Sequence, residues 1–282
     1  MNTAVITGSS SGIGFATAKG LLSQSNRIVM ICREGAKSRS AQELLIESTG
    51  CSKESVDLIF ADLGSRDEIQ SAIEEITNRY DQIDVLINNA AVLRTKRHET
   101  TDGLEMNFAV NYLAIVQLTS GLLPLLKKAP EARVINVGSE IYKQAKIDVG
   151  DLQWQTKYKS SIAYANSKLM GLYYTVRASQ GFSHEGITFN NVHPGVASTD
   201  VSREYPKIVN RILSLFLESS IAAARPVINL ATSPELKGVT GSYFNKDKKI
   251  EPLFKNDEWT TQADEIWRET QRLLEGYSCL PE

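Results

Sequence analysis

Short runs of aliphatic and β-branched residues recur along this chain, and longer stretches with apolar positions every three or four residues lie between most of them. The runs at 3–7, 27–31, 56–60, 85–88, 133–137, 188–192 and 242–244 read as strands. Strand and helix patterns in alternation predict right-handed crossovers and a parallel sheet covered on both faces. The expected architecture is therefore α/β: one doubly wound domain of about seven parallel strands with helices on both faces. No internal repeat or low-complexity linker interrupts the series, so the 282 residues read as a single domain, 1–282. A chain of that length buries a sizeable core without disulfides or a structural metal.

The first strand runs straight into Thr7-Gly8-Ser9-Ser10-Ser11-Gly12-Ile13-Gly14. A strand, a glycine-rich turn and then a helical pattern suit a phosphate at the helix N-terminus, where unpaired N–H groups and the dipole favour negative charge. Gly8 permits the sharp turn, Gly12 lets the backbone approach a pyrophosphate, and Gly14 lets helix and strand pack closely. Ser10, Ser11 and Ile13 complete the candidate cofactor-binding turn of a Rossmann-like domain. The Gly-x-x-x-Gly-x-Gly spacing also fits a plain flexible turn. At the end of the second strand stands Cys32-Arg33, with no acid to bond the adenosine ribose hydroxyls. The planar, permanently charged fork of Arg33 fits a 2′-phosphate, which favours NADPH over NADH; a solvated surface arginine is the alternative.

Tyr164 and Lys168 are four apart in a stretch, 162–177, that lacks proline, so a helix would put both on one face. A free phenol titrates near pH 10 and a neighbouring ammonium is expected to lower that value. Tyr164 would then give a proton to a carbonyl receiving hydride, or take one in reverse. Tyr-x-x-x-Lys alone arises often by chance, and its weight here comes from the company it keeps. Ser139 follows the apolar run 133–137 at the carboxyl edge of the sheet, where ligands of open α/β sheets bind. Its hydroxyl suits the substrate oxygen as charge develops, or else caps a local turn.

Taken together, these motifs resemble the short-chain dehydrogenase/reductase family over nearly the whole chain. The residues that carry the likeness are the glycine turn, Asp62-Leu63, Asn88-Asn89-Ala90-Ala91, Asn111, Ser139, Tyr164, Lys168 and His193-Pro194-Gly195. Within that family the chain looks most like the retinol dehydrogenase-like and WW-domain-oxidoreductase-like branch, through Ile31-Cys32-Arg33, the segments at 108–113 and 233–241, and the long gap from Ser139 to Tyr164. Protochlorophyllide reductases share much of the pattern more distantly. The resemblance implies a catalytic set of Asn111, Ser139, Tyr164 and Lys168. Asn111 would hold a water in a proton relay through Lys168, and Lys168 would also bond the nicotinamide ribose. Asp62 and Leu63 would meet the adenine, Asn89 and Ala90 would line the cofactor, and Pro194, Gly195, Val196 and Thr199 would flank the nicotinamide. Two departures concern backbone geometry: Ala91 replaces the usual glycine, and Gly138 replaces a common serine.

With 31 basic and 33 acidic residues, the net charge of −2 does not suggest a nucleic-acid surface. Three cysteines and three scattered histidines give no metal-ligand spacing, and His193 reads as a structural turn residue. No secretory or bilayer-spanning run stands out, and the N-terminal anchor frequent in retinol dehydrogenases is not seen, so a cytoplasmic protein is expected. By family analogy 198–222 is the substrate-loop region. Its apolar stretch 208–217 suits an amphipathic helix serving as pocket wall or core, as a contact in a homo-oligomer, or as a weak membrane contact.

The expected function is an NADPH-dependent carbonyl reductase acting on a small apolar aldehyde or ketone. An alcohol dehydrogenase working oxidatively is the alternative among enzymes. A cofactor-binding sensor or scaffold without turnover is the alternative outside them, since a fold does not dictate a function. The four intact catalytic residues argue against that last reading.

Overall fold

The computed structural model describes residues 2–24, 26–182, 185–195, 220–246, 250–251 and 258–277. Eight strands form one sheet: β1 (Thr3–Thr7), β2 (Arg27–Cys32), β3 (Val56–Phe60), β4 (Val85–Asn88), β5 (Ala132–Val137), β6 (Ile187–Val192), β7 (Ser242–Phe244) and β8 (Ile250–Glu251). The spatial order is β3-β2-β1-β4-β5-β6-β7-β8. The first seven pair in parallel, and β8 adds an antiparallel edge that the hydrophobic pattern does not announce. The predicted strands are all present, and three extend one residue further. The order reverses direction at β1, so the crevice at the carboxyl ends of β1 and β4 is where a doubly wound sheet takes its ligand.

The covering helices are α1 (Gly12–Leu22), α2 (Ala36–Thr49), α3 (Arg66–Arg79), α4 (Met106–Leu126), α5 (Ser160–Gly181), α6 (Ser220–Thr232) and α7 (Glu258–Leu273). Two apolar layers result, one between the sheet and α3, α4 and α5, the other between the sheet and α1, α2 and α6. Local chemistry sets several helix ends. Ser65 accepts from the Glu68 N–H at the start of α3, and Gly50 closes α2 in the left-handed conformation. Among the described residues α4 alone is long and apolar enough to cross a membrane, which the sequence reading did not single out, but 89% of its apolar 18-residue stretch is buried inside the fold. That marks it as a core helix.

The amphipathic α7 also escaped the sequence reading. Its Ile266, Trp267 and Thr270 are buried; Thr270 shares a hydrogen bond with Tyr112 of α4, and Trp267 stacks on Tyr174 of α5. The terminal helix thus backs the two helices that carry Asn111, Tyr164 and Lys168. The segment 208–217 and most of the expected loop 198–222 lie outside the described residues.

Candidate active site

The glycine turn is built as its spacing predicts. Gly8 and Gly12 have φ of +66° and +57°, where a side chain is disfavoured. A Cβ on Gly14 would lie 2.5 Å from both Asn89 Nδ2 and the Gly8 carbonyl oxygen, so the start of α1 packs against bare backbone. Ser10, Ser11 and Gly12 are half-buried around the first turn of α1, and Ile13 is buried beneath it. Asn89 knits this turn to β4. Its side-chain amide donates to the carbonyls of Thr7 and Gly8, while the N–H groups of Asn89 and Ala90 both donate to the Thr7 hydroxyl. The sequence reading includes Thr7 in the turn but assigns its hydroxyl no role, because accepting two backbone donors from 82 and 83 residues away has no local signature.

At the adenosine end Cys32 is buried with its Sγ 3.5 Å from Ser9 Oγ, and Arg33 stands exposed just past the strand. Asp62 closes its own turn by accepting from the Gly64 N–H, and Leu63 is buried beside it. Among the described residues no group of three or more His, Cys, Asp or Glu could hold a metal ion.

Tyr164 and Lys168 lie on α5 with the ammonium 5.7 Å from the phenol ring centroid. Lys168 is buried and donates to the Val137 carbonyl at 2.9 Å, so the ammonium is drawn to the carboxyl end of β5, one residue from Gly138-Ser139. Ser139 caps the short turn that follows, accepting from the Ile141 N–H at 3.4 Å, and remains partly exposed.

The expected depression of the Tyr164 pKa is not found. Burial pushes the phenol up to about 12 and brings Lys168 down to about 8. The physical reason is that the ammonium bonds a neutral carbonyl rather than the phenol oxygen, so desolvation of both groups outweighs their attraction. An ammonium has three donors and Lys168 uses one of them on Val137, which leaves donors for a ribose hydroxyl. These residues fit a nicotinamide dinucleotide. With Lys168 titrating near pH 8 in the free protein, kcat/KM for reduction should fall as the pH rises through about 8, because kcat/KM reports free-enzyme ionisations. A flat profile from pH 7 to 9.5 (roughly the span of that titration) would remove the lysine's charge from the reaction.

Asn111 sits in a π-helical turn, Ala109–Leu113, a distortion frequent at functional sites. It is fully buried and its side chain is committed: Oδ1 accepts from the Val92 N–H, and Nδ2 donates to the Val92 carbonyl and to Ser167 Oγ. Ser167 donates in turn to the Tyr164 carbonyl. The Asn111 side chain thus ties the loop after β4 to the Tyr164 helix, and its backbone carbonyl faces Gly171 of α5.

Gly138 has a specific reason to lack a side chain. A Cβ there would stand 2.0 Å from Oδ1 of buried Asn191, which takes the space next to Ser139. Gly138→Ala should therefore destabilise the protein by about 1–3 kcal/mol through overpacking. An unchanged melting temperature would show that Asn191 moves aside freely. Ala91 is half-buried without distorting this region, since Val92 beside it is held on both sides by Asn111. His193 donates its N–H to Phe244 and continues the sheet, Pro194 and Gly195 follow at the carboxyl end of β6, and Val196 and Thr199 lie outside the described residues.

Comparison with known proteins agrees with this geometry. The short chain dehydrogenase family model matches residues 2–208. Human retinol dehydrogenase 13 is 34% identical over 283 residues, covering 96% of this chain and 84% of its own. Human polyprenol dehydrogenase is 32% identical over 260 residues, with 89% and 78% covered. Among solved structures, the NADPH-bound carbonyl reductase from chicken fatty liver superposes with a TM-score of 0.67 at 22% identity, covering 89% of this chain and 98% of that one. With its glycine turn, its parallel sheet and its Ser139, Tyr164 and Lys168 assembled at one edge, the chain belongs to the short-chain dehydrogenase/reductase family, on its retinol dehydrogenase-like side.

Proposed function

We propose that this oxidoreductase uses NADPH to reduce an apolar aldehyde or ketone to the alcohol. Tyr164 acts as general acid, Ser139 holds the substrate oxygen, and Lys168 bonds the nicotinamide ribose. NADPH supplies the hydride when bound. The observation that carries the reading is a phenol kept protonated by burial, on the same helix face as a buried ammonium, at the sheet edge where Ser139 opens. A protonated phenol at this position can serve as the acid that meets the oxygen receiving hydride. Oxidation of an alcohol needs the phenolate, which burial disfavours at neutral pH, and this supports reading the reaction as a reduction. With the Asn111 side chain occupied, any water relay through Lys168 falls to the Asn111 carbonyl.

The oxidative alternative is supported by the names of the relatives, a retinol and a polyprenol dehydrogenase. Those names also favour an apolar, isoprenoid-like alcohol or aldehyde as substrate class. A cytoplasmic site of action belongs to the same reading, and the burial of α4 in the core leaves that helix unable to serve as a membrane anchor. Recovery of the protein in carbonate-washed membranes would remove that part. The primary test is an NADPH fluorescence titration followed by a panel of apolar aldehydes and ketones. Saturable binding with turnover supports the enzyme, binding without turnover favours a sensor, and no binding sinks both.

NADPH rather than NADH rests on exposed Arg33 and on Cys32, not an acid, at the end of β2; the neighbouring Glu34 pairs with Arg39. Charge-assisted bonds to a phosphate contribute about 1.5–3 kcal/mol. Arg33→Ala should therefore lower kcat/KM with NADPH by about 10-fold or more while leaving the NADH value nearly unchanged. A native preference for NADH would take Arg33 out of the cofactor site.

A further inference from the structure

The long connection between Ser139 and Tyr164 is fastened at both ends by polar side chains that the chemistry above does not use. Near Ser139, the Asn166 side chain grips the backbone of Lys146, accepting from its N–H and donating to its carbonyl. Near Tyr164, the fastening centres on Glu105, at the start of α4 and 1% exposed. Its Oε1 accepts from Asn107 Nδ2 at 2.8 Å and its Oε2 from the Phe108 N–H at 2.8 Å. Asn107 Nδ2 also donates to the Tyr158 phenol oxygen at 2.8 Å. The Tyr158 hydroxyl lies 3.0 Å from the Arg94 carbonyl and 3.4 Å from Glu105 Oε1. The Glu105 N–H donates to Gln153 Oε1, and Arg97 Nε donates to the Gln153 carbonyl.

This cluster joins three segments: the loop after β4, the first turn of α4, and the stretch 149–158. Asn107 and Asn111 stand four apart on α4 and hold the same loop, through the N–H groups of Arg94 and Val92 respectively. A helix start can be capped by an exposed Ser, Thr or Asp, so a fully buried carboxylate is a costly way to do only that. Burial raises the Glu105 pKa, and the donors on Asn107, Phe108 and Tyr158 oppose the rise. Trp154, one residue after Gln153, holds φ of +52°, a strained value that persists where the surroundings over-determine the backbone.

We propose that Glu105 and Tyr158 form a latch that fixes the connection 145–159 against the start of α4, and that this latch places the substrate carbonyl between Ser139 and Tyr164. Both are positioning residues, since neither touches Ser139, Tyr164 or Lys168. The kinetic part of the proposal rests on the carbonyl reduction proposed above.

The test compares Tyr158→Phe, Glu105→Gln and the double variant with the native protein, using NADPH and an apolar ketone. Each single change should lower kcat for the ketone about 10-fold, because a carbonyl held out of line reacts more slowly once bound, with the NADPH Kd nearly unchanged. Because the two groups act as one network, the double variant should be no worse than the worse single. Hydrogen exchange gives a readout independent of turnover. Tyr158→Phe should speed exchange at the Val92 and Arg94 amides as well as across 149–158. Additive kinetic losses, or losses shared equally by kcat, KM and cofactor Kd, would overturn the positioning role. Exchange altered only within 149–158 would overturn the latch itself. A native protein with no carbonyl turnover would defeat the functional reading, and exchange alone would then decide the latch.

Discussion

Tyr164→Phe should lower kcat for carbonyl reduction by about 100-fold or more, the usual scale for a lost general acid, with NADPH affinity unchanged. The variant removes one oxygen and keeps the ring against which Lys168 lies, so packing and the ammonium's bond to Val137 survive. The half-buried Tyr164 loses only its hydroxyl in this change, which costs little structurally and separates a chemical loss from unfolding. The pH dependence of the native protein tests direction. If phenol protonation sets the preference for reduction, native oxidation of an alcohol should climb towards high pH, as phenolate is recruited near a pKa of about 12, while reduction does not. Near-native turnover by the phenylalanine variant would mean that the proton comes from another group.

Lys168→Met should abolish most activity without destabilising the protein. Loss of the ammonium removes both a ribose donor and the charge beside the phenol, so NADPH Kd should rise about 10-fold and kcat fall by about 100-fold. Stability should move the other way. The folded protein releases the lysine proton at about pH 8, against 10.5 for the ordinary side chain. Below pH 8 the native state therefore carries the cost of a desolvated ammonium, and between about 8 and 10.5 the unfolded state binds more protons, so stability rises with pH. A methionine of similar length avoids that cost, and the variant should melt at or above the native temperature at pH 7. A large loss of stability with the cofactor Kd unchanged would make Lys168 a structural residue.

Much of the molecule was legible in the sequence because its information is local. Strands buried on both faces are continuous apolar runs, and a turn that needs positive φ at Gly8 and Gly12 must be written in glycine. Tyr164 and Lys168 declare a shared helix face by a spacing of four. Those features determined the parallel sheet, the order of its first seven strands along the chain, and the identity of the candidate acid, its lysine neighbour and the cofactor turn. Tertiary structure decided what depends on partners distant in sequence. The sign of the Tyr164 shift follows from burial and from the turn of Lys168 towards Val137, neither of which a spacing reveals. Gly138 is explained only by Asn191, 53 positions later on the neighbouring strand. The commitment of Asn111 to Val92 and Ser167, the Glu105–Tyr158 contact and the docking of α7 are likewise long-range hydrogen bonds and packing. Periodicity reports which face of an element is buried; which side chains meet there, and how far they desolvate one another, is set by the folded arrangement alone.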